Sequence, residues 1–185
     1  MPRNKDRADT PLMTRFLKYR ILYCILALVL LTDQTSKVWV SSCSGLEHGM
    51  YPPQGGIEVI PDFFSIVYST NTGAAWGMFS GFGILLGIFG VAAVAAIFFM
   101  RKHLELKRPS MQLVFGLISG GIIGNVVDRV RIGHVVDFLD FQLGFYRWPT
   151  FNVADSAMVI GVSIYILVGI LADIKQKKSA ASKGL

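Results

Sequence analysis

Two carboxylates, Asp137 and Asp155, each sit beside a membrane-length apolar segment, within Val135-Val136-Asp137-Phe138 and Phe151-Asn152-Val153-Ala154-Asp155-Ser156. Moving an ionised Asp toward a bilayer centre costs about 2.5 to 3.5 kcal/mol on insertion scales, so an acid in that setting is first a candidate functional group. Two acids close enough to share a proton can hydrolyse a peptide. One deprotonates water while the other, protonated, donates to the carbonyl oxygen. Repulsion and partial desolvation separate their titrations. Which acid takes which role is not readable from the chain.

Other polar residues gather near the same segments. Asn125 is i,i+3 to Asp128 and i,i+4 to Arg129, so one helix face would carry an amide, an acid and a guanidinium. A structural ion pair between Asp128 and Arg129 is as good a reading as a direct role in the site. Asp33 and Lys37, also i,i+4, are expected to form a local pair. Asn152 stands three residues before Asp155, where it could cap a helix, hold the carboxylate, or do both. Asp140 is expected to be a solvated loop acid. Gly116, Gly120 and Gly124 recur every fourth residue, as a strip where another helix packs closely.

Composition explains why these residues need a membrane context. The 185 residues are 52% hydrophobic and only 16% charged, which is too apolar for an ordinary soluble domain. Four stretches, about 19–40, 82–100, 111–130 and 153–172, approach the roughly 20 residues that cross a bilayer. The net charge of +6 would suit nucleic acid, but its placement argues against that partner. Of 18 Lys and Arg, six lie before or in the first turn of the first span, four lie between spans two and three, and four follow span four. By the positive-inside rule both termini are then cytoplasmic, and the basic tails serve as topology signals and anionic-lipid contacts. The expected fold is a membrane all-α, four-transmembrane-helix bundle in one domain over residues 1–185, with a small β element.

That topology turns scattered acids into a cluster, because Asp33, Lys37, Asn125, Asp128, Arg129, Asp137, Asn152 and Asp155 all fall at the outer ends of spans. The segments 41–81 and 131–152 lie on the same side and would form walls and a lid. In the first, 64–69 suits a short strand, and the aromatic stretch 74–79, with Trp76, suits an interfacial helix. Cys24 and Cys43, at opposite ends of one helix, are too far apart to bridge. His48, His103 and His134 are scattered, and no Cys/His spacing suggests zinc. A cleavable N-terminal signal is disfavoured, since Asp33, Gln34 and Lys37 separate the apolar run from Cys43 and three more spans follow.

The set Asp33-Gln34-Thr35-Ser36-Lys37, Asn71-Thr72-Gly73-Ala74-Ala75-Trp76, Gly124-Asn125-Val126-Val127-Asp128-Arg129 through Asp137, and Phe151 to Ser156 resembles bacterial lipoprotein signal peptidase, also called signal peptidase II. The resemblance covers residues 33–156 in order. It implies an aspartic endopeptidase of the bacterial inner membrane, with its active site toward the extracytoplasmic side, that removes signal peptides from diacylglyceryl-modified prolipoproteins just before the lipidated cysteine. It makes Asp137 and Asp155 the catalytic pair and Asn71, Asn125, Asp128, Arg129 and Asn152 supporting residues, with Asp33 and Lys37 as further motif positions. It implies no cofactor and no metal; the expected partners are lipidated precursors and membrane lipids, and the expected state is a monomer. The residues match no motif over 1–14 and 43–56. A small cation channel or transporter would gather acids too, but these cluster at one end without a broken-helix repeat. A non-catalytic scaffold would leave the cluster without purpose.

Overall fold

The computed structural model describes residues 17–43, 45–74 and 78–183. Its elements run α1 (Arg20–Ser42), β1 (Ile57–Ile60), β2 (Phe64–Asn71), α2 (Gly83–Phe99), α3 (Pro109–Ile132), β3 (Val135–Leu143), β4 (Tyr146–Phe151) and α4 (Val153–Lys183). α1, α3 and α4 are long and apolar enough to cross a bilayer. α2 is apolar throughout but has 17 residues, about 26 Å of helix against roughly 30 Å of hydrocarbon. Residues 75–77, the middle of the expected interfacial helix with Trp76, lie outside the described residues.

α3 is the central helix. Of its apolar window 56% is buried, against 22% for α1 and 11% for α4, and α1, α2 and α4 all pack on it. α1 buries one stripe, Leu22, Val29, Asp33, Lys37 and Val40, at the spacing of a single helical face. Its other faces expose Leu28 and Leu31, a surface suited to lipid rather than water. The expected glycine strip is the seam between α1 and α3. A Cβ on Gly120 would lie 2.8 Å from Val29 Cβ, closer than packed carbons come. Gly124 does more than pack: a Cβ there would sit 2.6 Å from Asp33 Oδ2, so its absence leaves room for a buried carboxylate.

The ends of α3 aim the chain at the site. Pro109 occupies the first helical position, where its missing N–H costs nothing. Gly133 closes the helix in the left-handed region, with its N–H donating to Arg129 O at 3.2 Å. The chain then turns directly into β3. The strands form one antiparallel sheet in the order β1-β2-β3-β4, with Phe64, Phe141 and Phe151 stacked across three of them. One apolar cluster, around Val40, Val136 and Phe138, joins the sheet to the helix ends. A second, around Leu22, Leu106 and Met111, lies at the opposite end of the bundle.

The structure differs from expectation at three places. The strand expected at 64–69 is present, but 131–152 holds two further strands. The β-branched and aromatic runs on either side of Gly144 are the hairpin signal that reveals them. Asp140 is not a solvated loop acid: it lies in β3 at 1% exposure, 3.4 Å from Arg147 Nε. Burial pushes its carboxyl above the usual range, and Arg147 opposes that shift. α4 does not stop near 172 but continues to Lys183, through helix-favouring Ala, Lys and Gln and an i,i+4 pair, Lys177 with Asp173 at 2.8 Å.

Candidate active site

Lys37 is the buried cation of the polar cluster at the sheet end of the bundle. Its Nζ lies 2.9 Å from Asp33 Oδ2 and 2.8 Å from Asp128 Oδ2, and it donates to Asn125 Oδ1 at 3.0 Å. Lys37, Asp33 and Asp128 are each at most 3% exposed. The expected local pair is therefore present and becomes a triad spanning α1 and α3. Asp128 pairs with Lys37, not with Arg129: adjacent helical residues point about 100° apart. Arg129 turns the other way, donating from Nη2 to Gly73 O at 2.6 Å and from Nη1 to Asn125 O at 3.4 Å. It holds the loop after β2 against α3.

The triad's carboxylates also fix neighbouring elements. Asp33 Oδ1 accepts the Ala154 N–H at 2.9 Å in the first turn of α4, a favourable place for an anion. Asp128 Oδ2 accepts the Val136 N–H at 3.2 Å, one residue before Asp137. Gln34 completes this layer. Arg131 donates to its Oε1 at 3.2 Å, so its Nε2 faces the acids, 3.1 Å from Asp33 Oδ2 and 3.0 Å from Asp128 Oδ1.

Three asparagines obey the same rule, in which an obligatory donor claims the amide oxygen and leaves the NH2 for a carboxylate. An ammonium has no acceptor, so Lys37 takes Asn125 Oδ1, and Asn125 Nδ2 donates to Asp155 Oδ1 at 2.7 Å. Asn152 Oδ1 accepts the Asp155 N–H at 2.9 Å, and its Nδ2 donates to Asp137 Oδ1 at 2.7 Å and Asn125 Oδ1 at 3.1 Å. Asn71 Oδ1 accepts the Gly73 N–H at 2.9 Å, and its Nδ2 donates to Asp137 Oδ2 at 3.2 Å. Asn71 reaches Asp137 because Asn71 pairs with Val135 and Ser69 with Asp137 in the β2–β3 register.

Asn152 both caps α4 and holds the acids. Asp155 Oδ2 accepts the Asn152 N–H at 3.3 Å while Asn152 Oδ1 accepts the Asp155 N–H. This is a reciprocal capping box with Asp at the third helical position. Helix initiation at Asn152 thereby sets the placement of Asp155, and the same side chain bonds Asp137. Asp137 and Asp155 also line one groove of about 900 Å³, with Tyr51, Trp148 and Met158 among its walls. Burial and the nearby charge of Asp155 push the Asp137 carboxyl up to about 7, against hydrogen bonds from Asn71 and Asn152 that favour its ionised form.

All nine side chains expected at the site thus meet at one end of the bundle: Asp33, Lys37, Asn125, Asp128, Asn152, Asp137, Asp155, Asn71 and Arg129. Tyr51 and Trp148 were not among them. Tyr51 lies in a stretch that matches no motif, and its ring reaches the sheet by stacking under the Arg147 guanidinium at 4.6 Å. Among the described residues, no three His, Cys, Asp or Glu side chains gather as a metal-holding set.

The chain resembles known membrane proteins in both fold and sequence. The chain is 33% identical, with a TM-score of 0.73 over 84% of its length and 90% of the other, to a solved structure described as a bacterial membrane enzyme determined by the in meso method at 2.3 Å resolution. A second such structure, at 1.9 Å, gives 32% identity and a TM-score of 0.67 over 80% and 90%. A multi-pass helical membrane enzyme is the class so defined. Residues 25–171 match the Signal peptidase (SPase) II family. Lipoprotein signal peptidases of Oleidesulfovibrio alaskensis and Syntrophus aciditrophicus are 41% and 39% identical, over 78% and 85% of this chain and 90% and 96% of theirs. The chain belongs to the signal peptidase II family, a family of aspartic peptidases.

Asn152→Ser separates the two duties of Asn152, since Ser also caps helices well but cannot reach Asp137. Peptidase turnover is expected to fall about 100-fold while circular dichroism shows unchanged helix content. Turnover near wild type would remove Asn152 from the site.

Proposed function

We propose that the chain is a membrane aspartic endopeptidase that removes the signal peptide from diacylglyceryl-modified prolipoproteins, cutting just before the lipidated cysteine, with Asp137 and Asp155 as its dyad. The observation that carries this reading is the shared hydrogen-bond partner: Asn152 donates to the Asp137 carboxylate from its side-chain Nδ2 and to the Asp155 carboxylate from its backbone N–H, and both acids line one groove. The groove's other wall includes Val159 and Ile160 of α4, apolar side chains exposed toward lipid. A substrate with its signal helix and diacyl chains in the bilayer has a lateral route to the acids along this wall.

Asp137, with its proton retained to near neutrality, is the acid, and Asp155 is the base. Asp155 takes a proton from water, the water oxygen bonds to the scissile carbonyl carbon, and Asp137 gives its proton to the carbonyl oxygen. On collapse the C–N bond breaks, Asp155 passes its proton to the departing cysteine nitrogen, and a diol proton returns to Asp137. Asn71 and Asn152 orient the first carboxyl, and Asn125 the second. Lys37, fixed by Asp33 and Asp128, holds Asn125, and Arg129 holds the loop at Gly73.

Asp137→Asn and Asp155→Asn are each expected to lower cleavage of a purified diacylglyceryl-modified precursor by at least about 10³-fold, because each removes one proton-transfer group at nearly constant volume. Near-normal turnover by either variant would reject the dyad.

In the bacterial inner membrane the reading also needs four crossings, with α2 as the second, both termini in the cytoplasm and the sheet outside. The distribution of basic residues supports this. In a Cys24→Ser, Cys43→Ser background, Gln142→Cys should react with an impermeant thiol reagent in intact spheroplasts, and Lys107→Cys only after lysis. The reverse pattern would put the groove on the wrong side for translocated precursors.

A further inference from the structure

At the end of the bundle remote from the acids, α1 and α2 both pack on α3 but make few contacts with each other. They leave a crevice of about 130 Å³ walled by Leu22, Leu26, Ile97 and Leu106, with Tyr19 and Arg101 also lining it. Its walls come from α1, the end of α2 and the segment that follows it, with Leu22 and Leu106 at its buried floor. The exposed faces of α1 and α2 on either side put its opening toward the bilayer, where acyl chains are the available apolar occupant. A crevice of this size is too small to admit a helix.

The charges at its mouth specify more than an apolar guest. Lys18 Nζ stands 6.0 Å from the centroid of Tyr19, and the Arg101 guanidinium lies 4.7 Å over Phe98. Both rings line the crevice. One cation at the start of α1 and one after the end of α2 are thus held against its two sides. Neither has an acidic partner among the described residues. Segments 17–20 and 100–108 together carry six Lys and Arg and the single acid Glu105, which Arg108 takes at 2.8 Å. An excess of positive charge at the edge of a lipid-facing apolar crevice is the complement of an anionic phospholipid.

We propose that this crevice binds an anionic phospholipid, with one acyl chain along Leu22, Leu26, Ile97 and Leu106 and the headgroup phosphate held by Lys18 and Arg101. The site is separate from the peptidase groove and takes a lipid of the surrounding bilayer rather than the substrate.

The test is native mass spectrometry of the full chain in detergent, titrated with dioleoyl phosphatidylglycerol or dioleoyl phosphatidylcholine. One phosphatidylglycerol should be retained about tenfold more strongly than phosphatidylcholine, and Lys18→Gln with Arg101→Gln should weaken retention about fivefold per cation removed. Leu26→Trp, which fills the crevice and leaves every charge in place, should weaken it as well; Ile97→Phe serves if that variant does not fold. Lys175→Gln with Lys178→Gln, removing two basic side chains from the exposed end of α4, should leave retention within about twofold. Equal loss in that control, equal retention of both lipids, or no response to filling the crevice would overturn the proposal in favour of diffuse surface attraction. Precursor cleavage by every variant reports that the fold is intact.

Discussion

A single buried ammonium, Lys37 Nζ, organises the sheet-bearing half of this molecule. Two carboxylates from different helices and one amide oxygen converge on it within about hydrogen-bond distance. Removing one partner from such a buried set costs about 3 to 5 kcal/mol, because the remaining charges are left uncompensated. The ammonium therefore locks α1 against α3 at one register. The glycine seam permits that close approach, and Gly124 leaves the space that Asp33 occupies.

From this centre, orientation spreads by the limited chemistry of each group. Lys37 can only donate, so Asn125 must turn its oxygen inward and its NH2 toward Asp155. Backbone N–H groups impose the same choice on Asn71 and Asn152, and Arg131 imposes it on Gln34. Each amide then presents donors to a carboxylate. Three structural devices converge on the two acids: the left-handed stop at Gly133 that starts β3, the β2–β3 register that brings Asn71 beside Asp137, and the capping box that begins α4. The acids come from different elements but are held by common neighbours.

The local parts of this arrangement were legible in the sequence. The Asp33–Lys37 pair and the Asn152–Asp155 cap are short-range relations fixed by helical spacing, and the glycine strip announces its seam by its period. Charge asymmetry and span order brought the polar residues to one end. The partner of Asp128 was not legible, because Lys37 lies far away in sequence and only helix packing joins them. Asp140 was misread since Gly144 was not recognised as a hairpin turn, so a residue facing into a sheet passed for loop. Tyr51 was missed for a similar reason: only its stacking with Arg147 brings a stretch without regular structure to the wall of the groove.

The central claim is that Asp137 and Asp155 act as one proton-sharing pair. It is tested most directly by the 13C carboxyl resonance of Asp137 followed across pH in the wild-type protein and in Asp155→Asn. Burial and the charge of Asp155 both favour the neutral carboxyl, so Asp137 should keep its proton to about pH 7 and release it above that value. With Asp155 neutralised the second cause is gone, and the midpoint should move down. Ionisation of Asp137 in the ordinary carboxylate range, with no response to Asp155→Asn, would contradict the pair.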